Sequence, residues 1–259
     1  RRPLPYMAQF RFNGRRLLYV AARHDVARSS PTFRLIDRAF RMRPDALIVE
    51  GIPSAWGVNP TQITGRLRAM AEGDEPGSYL RGEPGYAMQW ALARGVPFMG
   101  GEPANPEIDS MLLRQGYAAA DIAGVKMLQW LPQGLIAGEF TDNHDPRFRA
   151  FLDRTAQSIA ADFNGGLVFS RAIFEAWHAR QFGASIYEDD DYAGRLDPAG
   201  ATRAAEISRA MTLIRDRHIF ACIAAAAEAH ERVLVVYGGA HFATQWRALA
   251  AAFGPPRLL

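Results

Sequence analysis

Four ionisable residues, His24, Glu50, Glu102 and His241, each stand at or just past the end of a short apolar run. Two imidazoles and two carboxylates are a fitting donor set for a small divalent ion, Zn²⁺ or Mn²⁺, with coordination positions left open. A metal held this way lowers the pKa of a bound water and supplies the nucleophile for hydrolysis. The same residues also work without one: a histidine base activates water while a carboxylate orients the base. Asp25, beside His24, is placed to support that ring from behind. Arg215 is the fifth member, able to stabilise an oxyanion or hold an anionic group of the substrate. Each has a structural alternative. Glu50 can cap a helix or pair with an arginine, and Glu102, before Pro103, can be a loop carboxylate. His24 can pair with Asp25 at the surface, and His241 can be a satisfied turn histidine. Four at one edge carry more than any one of them.

The elements that must position these residues are legible in the pattern. Residues 7–20 read as a β-hairpin, with MAQFRF and RRLLYV flanking Asn13-Gly14, the preferred pair for a type I′ turn. Ser29 or Ser30 with Pro31 opens a helix whose buried face is Phe33, Ile36 and Phe40. Residues 46–49 form a second strand ending at Glu50, and VPFMGG forms a third, followed by Glu102. Residues 233–236 are an unbroken run of Val and Leu, the mark of a strand buried on both faces, and a helix follows Gly238 and Gly239. In a mostly parallel sheet the ends of these strands share one edge, where open α/β sheets place their ligands. The expectation is one α/β domain over 1–259, with an N-terminal hairpin, flanking helices and a helical insertion at about 104–198. The Gly-, Pro- and acid-rich stretch at 72–85 is a lid candidate, while YEDDDYAGRLDPAG reads as a solvated acidic connection lacking the ligand spacing of a calcium loop.

Residues 199–229 read as a long helix. Its projection puts Ile207, Met211, Ile214, Ile219 and Cys222 on one side. Arg215 falls with them and Arg217 opposite, so Arg215 needs a partner inside the protein and Arg217 is solvated. His218 is a secondary site candidate, His144 a loop residue, and His178 and His230 read as helix-surface residues.

The formal charge of +3 comes almost wholly from arginine, scattered among acids with no basic run, so nucleic-acid binding is not indicated. Lys126 is the only lysine and Cys222 the only cysteine, which excludes an internal disulfide and suits a small core residue. No apolar run reaches the length of a membrane span. The chain opens RRPLPYM, as a chain does after a leader is removed, so a periplasmic or secreted location is expected over a cytoplasmic one.

His24 after the first core strand, LIVEG at the second, Arg215-Asp216-Arg217-His218-Ile219 in a late helix and the terminal VVYGGAH together resemble one superfamily. It joins TraB/GumN proteins, Tiki proteases, erythromycin esterases and the haem-uptake lipoprotein ChaN. Gly238 to His241 is the best match; at the first motif Ala21 stands where a glycine is expected. The resemblance implies an α/β fold with a helical insertion and one of three activities: metal-dependent peptide cleavage, ester hydrolysis without an obvious metal, or haem binding without turnover. It points to a hydrolase of a peptide or ester in a cleft under the 72–85 loop and the insertion, with haem or metal uptake as the alternative. A dead scaffold is the third possibility, which the departure at Ala21 allows.

Overall fold

A computed structural model describes residues 3–71, 82–163, 166–197 and 199–259. Most of the lid candidate, residues 72–81, lies outside them, as does Gly165, half of the Gly165-Gly166 break between helices.

The chain divides into two compact units, Arg1–Pro103 with Asp216–Leu259, and Ala104–Arg215. The sequence reading has one domain whose insertion stops near residue 198; the second unit runs on to Arg215 and takes in the start of a long helix.

The first unit opens with β1 (Tyr6–Phe12) and β2 (Arg15–Ala22), paired antiparallel. Asn13 and Gly14 have φ of 46° and 76°, the double left-handed turn that the pair Asn-Gly adopts readily. Next come α1 (Pro31–Arg41), β3 (Ala46–Pro53), α2 (Thr61–Ala71), α3 (Glu83–Ala93) and β4 (Phe98–Glu102). Ser30, not Ser29, occupies the cap position of α1, with Pro31 in the first turn.

The second unit holds α4 (Asn105–Arg114), α5 (Ala119–Ala137), α6 (Pro146–Asp162), α7 (Arg171–Phe182), the short α8 (Tyr192–Arg195) and the first part of α9 (Arg203–Ala229). Phe148, Phe151, Phe174 and Trp177 fill its core around α5. Gly124 and Gly134 of α5 have no side chain where Trp177 and the pair Phe140 and Phe151 press in. Lys126 is buried there, bonded to Asp109 at 2.8 Å and Asp162 at 2.7 Å.

The first unit resumes with the rest of α9, β5 (Arg232–Gly238), α10 (Gly239–Phe253) and β6 (Arg257–Leu258). The six strands form one sheet in the order β4-β3-β5-β2-β1-β6. β5 pairs in parallel with both β2 and β3, and β3 in parallel with β4. Because strand side chains alternate, Leu234 and Val236 join Ile36, Phe40 and Met88 on one face of the sheet. Val233, Val235 and Tyr237 join Ile219, Ile223, Phe242 and Leu249 on the other. Each such side chain, fully buried, contributes roughly 1.5–3 kcal/mol. Among the described residues no helix is long and apolar enough to cross a membrane.

One irregularity matters for function. Val49 pairs with Gly100 but Pro53 pairs with Glu102, so β3 carries a bulge between them, with Gly51 at φ 78°. Bulges re-aim side chains, and this one contains Glu50. It also brings the Ile52 backbone over Gly100, where a Cβ would overlap the Ile52 carbonyl. Backbone on that side cannot give way as a flexible side chain would. Gly100→Ala is therefore expected to cost about 2–3 kcal/mol in urea unfolding; a loss under about 0.5 kcal/mol would show that the bulge relaxes freely.

Candidate metal centre

All four acidic and histidine candidates sit at the edge where β2, β3, β4 and β5 end. Glu50 lies in the β3 bulge, Glu102 is the last residue of β4, and His241 is in the first turn of α10, just after β5. One ligand atom each from Glu50, Glu102 and His241 lie within 4.8 Å of one another. Glu102 and His241 are 7% and 6% exposed, so water screens this charge poorly. The Gly238 amide donates to Glu50 Oε2 at 2.6 Å, and Glu50 Oε1 stands 3.5 Å from His241 Nε2.

Both histidines are held from behind by a buried carboxylate. His241 Nδ1 lies 2.7 Å from Asp216 Oδ1. Gln245 Nε2 also donates to that oxygen at 2.7 Å, and the Thr244 hydroxyl donates to Asp216 Oδ2. Burial alone would push the Asp216 carboxyl up, but the bonds from His241, Thr244 and Gln245 hold it below the usual carboxylate range. An ionised carboxylate only accepts, so His241 Nδ1 carries a proton toward Asp216, and Nε2 faces Glu50. His24 repeats the arrangement: its Nδ1 lies 2.5 Å from Oε1 of Glu83, which is 2% exposed. That bond raises the His24 pKa to about 9, against the opposing effect of burial and with help from Glu50.

His24 flanks the tight triple. A Cβ on Gly238 would lie 3.0 Å from His24 Nε2 and 3.1 Å from Glu50 Oε2, so both atoms approach one point where only glycine leaves room. The His24 side chain is 39% exposed, which makes it the open side of the cluster. Two carboxylates with two imidazoles suit Zn²⁺ or Mn²⁺, and a carboxylate behind each imidazole is the usual support for a metal-binding histidine.

Several expectations need correction. The support behind His24 is Glu83, not Asp25; the Asp25 carboxylate accepts from the Ala27 amide at 2.9 Å instead. Glu83 reads as part of a polar loop because Gly and Pro crowd it, yet it is the first residue of α3, where an acid favours the helix N-terminus. In the RDR segment the buried member is Asp216, at 7% exposed. Arg215 is half-buried and ends the second unit, whereas Arg217 is exposed. The buried stripe of α9 changes phase along its length. Ala204, Ile207, Met211 and Ile214 belong to one core, and Ile219, Ile223, Ala226 and Ala227 to another. Arg215 falls at the changeover. His178 is no surface residue: it is fully buried, with Nδ1 3.0 Å from the Ala184 carbonyl and Nε2 3.0 Å from Asp189 Oδ2. The acidic connection is likewise not simply solvated, since Asp189 is 5% exposed and bonded by Arg195 at 2.8 Å. His218 is half-buried, with Nε2 2.7 Å from the Ser54 hydroxyl.

Comparison of the chain with protein-family models, with curated proteins and with solved structures finds no match in any of the three.

Proposed function

We propose that the chain is a metal-dependent hydrolase of peptide or ester bonds, with Glu50, Glu102 and His241 as ligands and His24 as a fourth from the open side. The observation that supports this most is the pair of histidines, each backed at Nδ1 by a buried carboxylate and each turned with Nε2 toward Glu50. The likeness of VVYGGAH and LIVEG to the TraB–Tiki–esterase motifs points the same way. The donor set favours a small ion over haem iron, whose macrocycle already supplies four nitrogens and leaves only axial positions. A divalent metal bound here supplies Lewis acidity and lowers the pKa of water.

The protein's own groups prepare the site. Asp216 and Glu83 fix the ring orientations, so little reorganisation is needed when a ligand arrives. The Gly238 amide holds Glu50 Oε2 and leaves Oε1 toward the centre. His24, on the exposed side and carrying a proton near neutral pH without metal, is the group placed to hand a proton to a leaving amine or alkoxide when it is not ligating.

The test is hydrolysis of a mixed peptide library and of nitrophenyl esters by protein purified with Zn²⁺ or Mn²⁺ and first treated with an alkyl fluorophosphonate, which silences any serine nucleophile. The expected result is turnover that falls at least 100-fold with chelator and returns with metal. Turnover indifferent to chelator, or none with either metal on any substrate, would overturn the reading.

A further inference from the structure

A second set of reactive side chains lies outside the metal cluster, and the proposal above does not use it. Ser54 opens the short 3-10 turn Ser54–Trp56 that follows β3. Its hydroxyl is turned toward α9, where His218 and Cys222 stand one helical turn apart on the same face. Ser54 Oγ is 2.7 Å from His218 Nε2, and the Cys222 thiol is hydrogen-bonded to Ser54 as well. Burial pushes the Cys222 thiol up against the opposing effect of that bond, so the thiol keeps its proton. With the lone pair of His218 on Nε2, the serine hydroxyl donates to it. Such a contact between hydroxyl and imidazole is the geometry of an activated nucleophile. All three residues are half-buried rather than sealed. Just beyond Ser54 the chain exposes Trp56 and Val58, at 48% and 55%, an apolar surface beside a polar pair.

We propose that Ser54 and His218 form a second hydrolytic centre, a serine nucleophile with its base, which acts on esters of short apolar acyl groups. Ser54 Oγ bonds to the acyl carbon while its proton passes to His218 Nε2. The bond to the leaving alkoxide breaks and that proton goes to the alcohol. Water then attacks the acyl-serine, His218 takes the water's proton, the acid departs, and the proton returns to Ser54. Trp56 and Val58 would pack the acyl chain. The centre needs no metal, which separates it from the proposal above.

The experiment is reaction of the full chain with an alkyl fluorophosphonate, followed by peptide mapping in the mass spectrometer. Attack by Ser54 Oγ on phosphorus forms the O–P bond and releases fluoride. One adduct on Ser54 is expected, at the same rate with and without chelator. Ser54→Ala, checked by circular dichroism to be folded, should take none. His218→Gln should slow labelling by about 10²–10⁴, the usual contribution of a positioned base. Native protein with no adduct on Ser54 would overturn the proposal. So would labelling abolished by chelator, or an unchanged rate in folded His218→Gln.

Discussion

Asp216→Ala is expected to lower unfolding stability by about 3–5 kcal/mol and metal affinity by about 10–100-fold. The carboxylate, 7% exposed, accepts from His241, Thr244 and Gln245. Removing it leaves three donors facing a small apolar group. His241 and Gln245 are themselves buried, so water does not replace the lost acceptor, and each unmet buried donor costs about 1–3 kcal/mol. The affinity loss has a different cause: His241 loses the partner that fixes its tautomer and ring orientation. Asp216→Asn keeps one acceptor oxygen and should fall between the two proteins. Urea titration gives the stability and calorimetric titration with Zn²⁺ the affinity. A change under about 1 kcal/mol in Asp216→Ala would mean that the helix bearing it relaxes and that the support is dispensable.

Lys126→Met is expected to destabilise the second unit by a similar amount, about 3–5 kcal/mol near neutral pH. Lys126 is 6% exposed and Asp109 2%. Without the ammonium, Asp109 is a buried carboxylate with no counter-charge. Burial already raises the Asp109 pKa despite Lys126, and in the variant it rises further. A carboxyl whose folded pKa is raised destabilises the fold at pH above its unfolded value and ceases to do so once protonated. The deficit of Lys126→Met should therefore shrink as pH falls, beyond the smaller effect of the same sign that the raised Asp109 pKa gives wild type. Lys126→Met with Asp109→Leu removes both charges and should regain most of the loss, because replacing a whole buried pair is far cheaper than halving it. Thermal melts of the three proteins between pH 4 and 8 decide this, at pH values taken about one unit apart. A deficit that stays constant with pH would contradict it.

The fold was largely legible because its signals are local. The Asn13-Gly14 turn, the apolar runs of β2, β3 and β5, and Pro31 at the start of α1 each state their structure within a few residues. The convergence of Glu50, Glu102 and His241 followed from the rule that parallel strands end on one edge. What stayed hidden depends on distant residues. Glu83 supports a histidine 59 positions away, and nothing beside it in sequence says so. Asp216 was obscured by the arginines on either side, although it lies three and seven residues before Ile219 and Ile223, on the stripe that faces the sheet. Recognising it required knowing that α9 serves two cores in turn. β6, only two residues long, carries too little pattern to read. The β3 bulge has a signal in Gly51, but only the register against β4 reveals that it turns Glu50 into the cluster.

The central claim, a divalent metal held by Glu50, Glu102 and His241 with His24 beside them, is tested most directly by calorimetric titration of chelator-treated protein with Zn²⁺ and Mn²⁺. The account predicts one ion bound per chain, weakened more than about 100-fold in Glu50→Gln, a larger loss than that from a supporting residue, with the fold retained by circular dichroism. No binding of either ion by the wild type, or equal binding by Glu50→Gln, would contradict it.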